Sequence, residues 1–263
     1  MPIRKIWEVE IDVVGPITIE SQISFRQKKG FDEDQFYSNI TLRTADYGIA
    51  SKLTAYADNM GMAQTAAYVF FGRMIDILAF TNHIPLTLQS HENIATHVIK
   101  SKHGVKRMFT DAEFMMAFIM SRKLEVEHPR ILKAIGWYAK GINSNNALDS
   151  FLSLWNAIEI IGTHYHAPTD RAKSGAINQI YQCFLDLWGD ESNWELPCRW
   201  INDMHDKRSK IAHGVDETTV EALNNTAVLI PKVSNVARNV INATLNKEYG
   251  DNIWDRVYAE ALF

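Results

Sequence analysis

Cysteine is scarce in this chain, and the sequence has neither a membrane-spanning apolar run nor the pattern of a signal peptide. The 263 residues include only two cysteines, Cys183 and Cys198, which is too few for the disulfide framework of a small secreted scaffold. No apolar run approaches the ~18 residues that span a bilayer. The opening MPIRKIWEVEID carries acids where a signal peptide needs an apolar stretch. These absences favour a cytoplasmic protein without a membrane span.

An excess of basic residues is missing as well. The formal net charge is −4, so no overall positive field exists to hold nucleic acid nonspecifically. The sequence also has no phosphate-binding glycine loop, no Ser-His-Asp elbow motif and no CxxC pair, and we expect no metal or cofactor. Apolar residues at 46% and charged residues at 22% are ordinary for a globular chain and argue against disorder.

The first 45 residues have the period-two pattern of β-strands. Apolar side chains alternate with acids from Trp7 to Val13, which predicts one buried and one polar face. Gly15-Pro16 breaks this run, and a second alternating run over 17–26 predicts an antiparallel pair with the first. Further candidate strands are YSNITLR, PLTLQ and ENIATHVIK.

Helical signals begin near Tyr47. Ile49, Leu53 and Tyr56 are spaced by four and three, which predicts a helix that ends at Asn59-Met60-Gly61. AQTAAYVFFGRMIDILAF is a longer candidate helix. Thr110-Asp111-Ala112-Glu113 is a capping box that predicts the start of another helix.

After Glu127 every signal is helical. Asn145 or Asn146 can cap the helix ALDSFLSLWNAIEIIG. A second capping box, Ser192 to Glu195, predicts a helix that ends at Gly214, although Pro197 can delay its start. Pro231 should kink or split the helix that follows. We therefore expect an α+β fold, with a small antiparallel sheet and helices over 1–125 and an all-α helical bundle over 126–263.

The segment MHDKRSKIAHG carries residues that suit metal-free RNA cleavage. An imidazole such as His213 can move a proton near neutral pH, and a guanidinium such as Arg208 can hold a phosphodiester. RNA supplies its own nucleophile, the 2′-hydroxyl. In the alternative interpretation, Arg208 is a surface residue and His213 suits the negative end of the helix dipole. Similar spacings recur at Arg122/His128 and Arg199/His205, so the spacing by itself is weak.

Two segments together resemble the HEPN superfamily of helical-bundle proteins. RSKIAHG resembles the family's RNKxxHG segment, and ALDSFLSLWNAIEIIG is similar to the FL.LWNALE run in the first bundle helix of Apea-like HEPN domains. The resemblance covers about residues 128–250. It implies an endoribonuclease in which Arg208 binds phosphate and His213 transfers protons, at a cleft between two protomers. By analogy, it also implies a toxin or anti-phage defence role and a regulatory partner or antitoxin.

The motif departs from the family at Ser209, where Asn, Asp or His is common. A serine can still donate a hydrogen bond to phosphate. A branch of toxins modified by a partner enzyme has Tyr two residues after the histidine. Val215 stands at that position here, which does not support that type of regulation.

Glu159 is the next candidate, because it shares a helical row with Leu148, Leu152 and Trp155. An acid on an apolar stripe is costly unless it is paired. Glu159 could position Arg208 or His213, or it could form a structural ion pair with Arg171 or Arg199 or lie exposed at the edge of the stripe. Asn156 could reach the same site or could be a polar flanking residue.

Two local basic clusters could guide RNA, or they could be solvated loops. KSKHGVKR supplies Lys100, Lys102, Lys106 and Arg107, and the second cluster is FRQKKG at 25–30. The segment His164-Tyr165-His166 suggests a metal site, but no cysteine is close and Asp170 is only a possible ligand, so a helix-end cluster is favoured.

A second class of function stays open. A noncatalytic HEPN-type module that binds a partner protein, a nucleotide or RNA is consistent with the acidic net charge and with Ser209. In a third interpretation, the N-terminal module senses a ligand and the bundle only dimerises.

Overall fold

The computed structural model describes residues 5–26, 36–90, 104–214 and 219–262. It confirms the α+β fold: an N-terminal antiparallel sheet precedes most of the helices. Two compact units are present, Met1–Ser121 with Tyr258–Phe263, and Arg122–Val257. No helix in the described ranges is both long enough and apolar enough to cross a membrane.

The first unit contains seven strands in the described residues: β1 (Lys5–Val14), β2 (Ile17–Ile19), β3 (Ile23–Arg26), β4 (Phe36–Ala45), β5 (Gly48–Ala57), β6 (Thr87–Ser90) and β7 (Arg107–Phe109). Five of them form an antiparallel sheet in the order β3-β4-β5-β1-β6, and β2 pairs with β7 in parallel. The alternation predicted for β1 is confirmed only in part. Glu8 and Glu10 are exposed and Ile11 and Val13 are completely buried, but Asp12, which the pattern puts on the polar face, is buried as well.

Eight α-helices lie within the described ranges: α1 (Met60–Asn82), α2 (Asp111–Glu127), α3 (Pro129–Asn143), α4 (Ala147–His164), α5 (Ala176–Trp188), α6 (Trp200–Ala212), α7 (Val220–Tyr249) and α8 (Ile253–Ala261). The sequence boundary near residue 125 falls inside α2. No strand lies in the described residues after β7.

The helix predicted from Tyr47 to Asn59 is wrong, because most of this segment is strand β5. Every second residue from Ile49 to Ala57 is buried, as in a strand with one face on the core. The four-residue spacing of Ile49 and Leu53 fits a strand as well as a helix, because four is an even number. Asn59 begins the next helix instead, and its Oδ1 accepts a hydrogen bond from Met62 N at 3.0 Å.

The antiparallel pair predicted around Gly15-Pro16 is also wrong. Strand β1 pairs with β5 along its length and with β6 over Ile11–Val14, so the residues of β1 next to the turn have no edge left for the run after Pro16. That run divides at the exposed Glu20 and Ser21 into β2 and β3. Of the other candidate strands, YSNITLR lies in β4 and PLTLQ overlaps β6, whereas ENIATHVIK lies outside the described residues.

The two predicted capping boxes have opposite outcomes. The first is confirmed: Thr110 N donates to Glu113 Oε2 at 2.9 Å, and Glu113 N donates to Thr110 Oγ1 at 3.3 Å. The second is wrong, because Ser192 lies in a short 3-10 helix and α6 begins only at Trp200. Pro197 disfavours helical backbone at the residue before it, which explains the delayed start.

Pro231 does not split the helix that contains it. Helix α7 runs without interruption from Val220 to Tyr249. A proline inside a helix removes one backbone hydrogen bond, so the packing of α7 must compensate for that loss. Buried side chains from Val233 to Leu245 provide this packing.

Helix α4 is the central helix of the second unit. It packs against α3, α5, α6 and α7. Its fully buried side chains include Phe151, Leu154, Trp155, Ile158 and Ile161. Close packing requires glycine at position 162, because a Cβ there would lie 2.8 Å from Ile180 Cα. The position of α4 is therefore tightly determined, and so is that of any polar side chain on it.

The N-cap of α4 makes a testable contribution to stability. Asn146 Oδ1 accepts hydrogen bonds from Leu148 N at 2.8 Å and from Asp149 N at 3.3 Å. We expect Asn146→Ala to lower the free energy of unfolding by about 1 kcal/mol in urea titrations, because these two amide groups lose their acceptor. Asn145→Ala is the matched control and should leave stability nearly unchanged, and equal losses in both variants would contradict the assignment of the cap.

Candidate functional site

Helix α6 carries the two principal candidate residues near its C-terminal end. Trp200, Ile201 and Met204 are buried and face the bundle, which fixes the rotation of the helix. Arg208 is half-buried, with 31% of its side chain exposed. His213 follows the last helical residue, is exposed, and donates its backbone N–H to Ser209 O at 3.0 Å. His213 follows Arg208 by five residues, which corresponds to a rise of about 7.5 Å along the helix axis.

Glu159 on α4 lies beside Arg208. The distance from Arg208 Nε to Glu159 Oε2 is 3.7 Å, and both atoms are buried without a closer hydrogen-bond partner. Of the partners considered for Glu159, the structure therefore places Arg208 next to it. The contact is on the Nε side of the guanidinium, so it leaves the two terminal Nη groups for another acceptor.

The other two supporting candidates, Ser209 and Asn156, form no hydrogen bond with Arg208 or His213. Ser209 is half-buried, and within the described part of the chain its hydroxyl forms no hydrogen bond. Asn156 is half-buried on α4 and forms no hydrogen bond to Arg208 or His213. Neither side chain is held in place by another residue of the site.

Aromatic side chains support the contact between α4 and α6. The rings of Trp155 and Trp200 lie 6.0 Å apart between centroids, and Trp155 meets His205 edge-on at 6.5 Å. Trp155 is completely buried, and its Nε1 has no hydrogen-bond partner. His205 precedes Arg208 by three residues and therefore shares its helix face.

The similar spacing at Arg122/His128 differs physically from that at Arg208/His213. Arg122 Nη1 binds Glu125 Oε2 at 2.6 Å. His128 Nδ1 lies 3.3 Å from the Tyr165 hydroxyl, and its Nε2 lies 3.7 Å from Glu248 Oε2. Burial, followed by the charge of Glu248, raises the pKa of Tyr165 to about 12. The Arg122 pair lies within α2, whereas His128, just before α3, contacts Tyr165 at the end of α4 and Glu248 on α7. The charged and polar groups of this second Arg/His spacing are therefore already paired.

The described basic residues that were predicted to guide RNA, Lys106 and Arg107, already bind other groups of the protein. Lys106 Nζ donates to the backbone oxygens of Ala45 and Asp46, at 3.2 and 2.7 Å. Arg107 pairs with Glu113 at 2.6 Å and stacks on Phe109. Lys100, Lys102 and most of the FRQKKG cluster lie outside the described residues.

The segment from His164 to His166 has protein partners rather than a metal-site geometry. His164 Nδ1 lies 2.9 Å from Ile160 O, and His166 Nδ1 lies 2.8 Å from Ala167 O. Asp170 pairs with Lys173 at 2.7 Å. Across the residues that the structure describes, no three His, Cys, Asp or Glu side chains form a group able to hold a metal ion.

No protein-family model, curated protein or solved structure matches this chain. The HEPN resemblance therefore stays a prediction based on two segments. In the structure these segments are helices α4 and α6, which pack against each other.

One residue near the site was not singled out by sequence reasoning. From the sequence, His205 was considered only as the histidine of the Arg199/His205 spacing. Arg199 has a left-handed backbone conformation, with φ of 61°, and precedes α6, so it does not share the face of His205. The signal that could have found His205 is its three-residue spacing from Arg208.

The contact between Glu159 and Arg208 can be measured by a double-mutant cycle. With Glu159→Gln, Arg208→Gln and the double variant, we expect a coupling free energy of about 1 kcal/mol, because both side chains are mostly buried but not fully desolvated. Urea unfolding measures all four proteins.

The Asp170 and Lys173 pair is the matched control. Its side chains are 98% and 77% exposed, so we expect no measurable coupling there. Equal coupling in the two cycles would show that the burial of Glu159 and Arg208 has no special effect.

Proposed function

We propose that this chain is a metal-independent endoribonuclease of HEPN type. The observation that supports the proposal best is the arrangement at the end of α6. Arg208 is contacted by Glu159 on its Nε side, so its Nη groups stay open, and His213 is exposed one and a half turns further along. A phosphate-binding group on α6 and a proton-transfer group at the C-cap of the same helix therefore lie close together in the chain.

The chemistry needs no nucleophile from the protein. The ribose 2′-oxygen attacks the adjacent phosphorus, the bond from phosphorus to the 5′-oxygen breaks, and a 2′,3′-cyclic phosphate and a 5′-hydroxyl result. Hydrolysis of the cyclic phosphate then gives a 3′-phosphate. His213 acts as general base for the 2′-hydroxyl or as general acid for the 5′-oxygen. Arg208 binds the scissile phosphate and stabilises the added charge in the transition state.

Two neighbours have supporting roles in this proposal. Glu159 limits the rotation of the guanidinium through its contact at Nε. Ser209 has a hydroxyl without a partner in the described residues, so it can donate to a phosphate oxygen. Asn156 lies about one turn from Glu159 and is the more remote candidate.

The partners proposed here follow from the family resemblance. We propose RNA as substrate, a homodimer that joins two copies of the motif, and a cytoplasmic toxin or anti-phage role. A regulatory partner or antitoxin belongs to the same proposal.

A noncatalytic module is the second candidate function. The observation that favours it is the same contact, because Glu159 partly neutralises the cation that would bind phosphate. Such a module would use α6 to bind a partner protein, a nucleotide or RNA without cleaving it.

The two functions predict different results in a cleavage assay. Purified protein is incubated with mixed RNA in EDTA, beside His213→Ala and Arg208→Ala. We expect cleavage by the unaltered protein and a loss of about 10²–10⁴-fold for His213→Ala, the range for one general acid or base. The ends of the products should carry 2′,3′-cyclic or 3′-phosphates.

His164→Ala is the matched control, since this exposed histidine lies at the end of a different helix and is bound to backbone. It should cleave at the full rate. Equal cleavage by all variants would indicate a contaminating nuclease, and no cleavage by any of them would favour the noncatalytic module.

The homodimer has a separate test. If two copies of the motif form one site, the rate per chain should fall on dilution as the dimer dissociates, and sedimentation should show this dissociation over the same concentrations. A monomer with a constant rate per chain would show that dimerisation is not needed.

A further inference from the structure

We propose that His205 is a second proton-transfer residue of this site, so that α6 and its C-cap residue supply both imidazoles that RNA cleavage needs. The inference rests on the proposed nuclease function. It adds a residue that neither the sequence motif nor its spacing assigns.

The position of His205 on α6 is the first argument. His205, Ser209 and His213 are each four residues apart, so they form one row along the helix. Arg208 follows His205 by three residues and is its neighbour on the same side. The row spans about 12 Å along the axis, with Arg208 between the two histidines. Along the axis, Arg208 lies between the two histidines: His205 is its neighbour on the helix surface, and His213 lies about 7.5 Å further along and about 140° around the axis. A phosphate held by the long Arg208 side chain would therefore lie between the levels of the two imidazoles.

The free ring nitrogens are the second argument. Within the described residues, the ring nitrogens of His205 and His213 have no hydrogen-bond or ion-pair partner, whereas those of His128, His164 and His166 do. His205 is half-buried rather than enclosed, so solvent reaches it. A histidine retained only for structure normally binds a carbonyl or a carboxylate through its ring, as His128 does.

The contact with Trp155 is the third argument. Trp155 is completely buried and meets the His205 ring edge-on, with an interplanar angle of 67°. Trp200 supports Trp155 from the same helix that carries His205. The two tryptophans limit the rotation of the His205 ring and leave both ring nitrogens of His205 free. A proton-transfer group needs this arrangement.

The two imidazoles act as general base and general acid, so every proton in the reaction is accounted for. One imidazole accepts the proton of the 2′-hydroxyl as the bond from the 2′-oxygen to phosphorus forms. The other, protonated beforehand, donates its proton to the 5′-oxygen as that oxygen leaves phosphorus. Exchange with water returns both rings to their initial protonation states.

The experiment uses the full-length chain with His205→Phe, His213→Ala and the control His164→Phe. Phenylalanine keeps an aromatic ring against Trp155 and removes both nitrogens. His205→Gln is a second variant, which keeps polar contacts but does not titrate. Each protein is tested between pH 5 and 9 on RNA and on an equal mixture of the four ribonucleoside 3′-(4-nitrophenyl) phosphates, whose leaving group needs no proton.

With RNA we expect His205→Phe and His213→Ala each to lose about 10²–10⁴-fold in rate, and the bell-shaped pH profile to lose a different limb in each variant. With the nitrophenyl substrates, one of the two variants should recover to within about tenfold of the unaltered protein, because its missing group is the acid. His164→Phe should behave as the unaltered protein.

Three results would overturn the inference and leave the nuclease proposal standing. The first is RNA cleavage by His205→Phe within about threefold of normal, with His213→Ala inactive. The second is a slow but folded His205→Phe or His205→Gln that keeps both limbs of the pH profile, which indicates a packing role. The third is that neither variant recovers on the nitrophenyl substrates. No cleavage of RNA by the unaltered protein would instead remove the nuclease function itself.

Discussion

The burial of α4 is the constraint on which the second unit depends. Four helices pack around α4, so most of its surface is removed from water. Glu159 lies on this helix with only 28% of its side chain exposed. A carboxylate in such a position needs a cationic neighbour, because the lost hydration must be replaced. Arg208 of α6 supplies the cation, and the rotation of α6 is thereby linked to the charge on α4.

The same contact makes the end of α6 chemically useful. An arginine held only by water samples many orientations, whereas Arg208 is contacted by Glu159 on its Nε side, and its Nη groups remain open. About one turn before Glu159, Trp155 of α4 contacts Trp200 and His205 of α6, and these aromatic contacts strengthen the packing of the two helices. Packing and electrostatics thus act together to orient the polar side chains along one edge of the bundle.

Prediction from sequence succeeded where a local signal was unambiguous. The Thr110 capping box and the apolar alternation that predicts strand β1 each have only one simple structural solution, although Asp12 of β1 is buried against the pattern. It failed where one pattern fits two structures. The spacing of Ile49 and Leu53 is compatible with a strand face, and only the pairing of β5 with β1 and β4 selects that solution. The Ser192 box failed because Pro197, a few residues on, restricts the backbone.

For the candidate site, the sequence by itself determined which reactive groups are present and that Arg208, Ser209 and His213 follow one another on one short segment. It left the partner of Glu159 open among several arginines, and it did not distinguish His205 from other histidines. Tertiary structure alone decided both points. The approach of α4 and α6 depends on the shapes of buried side chains far apart in the chain, and a one-dimensional spacing does not contain that information.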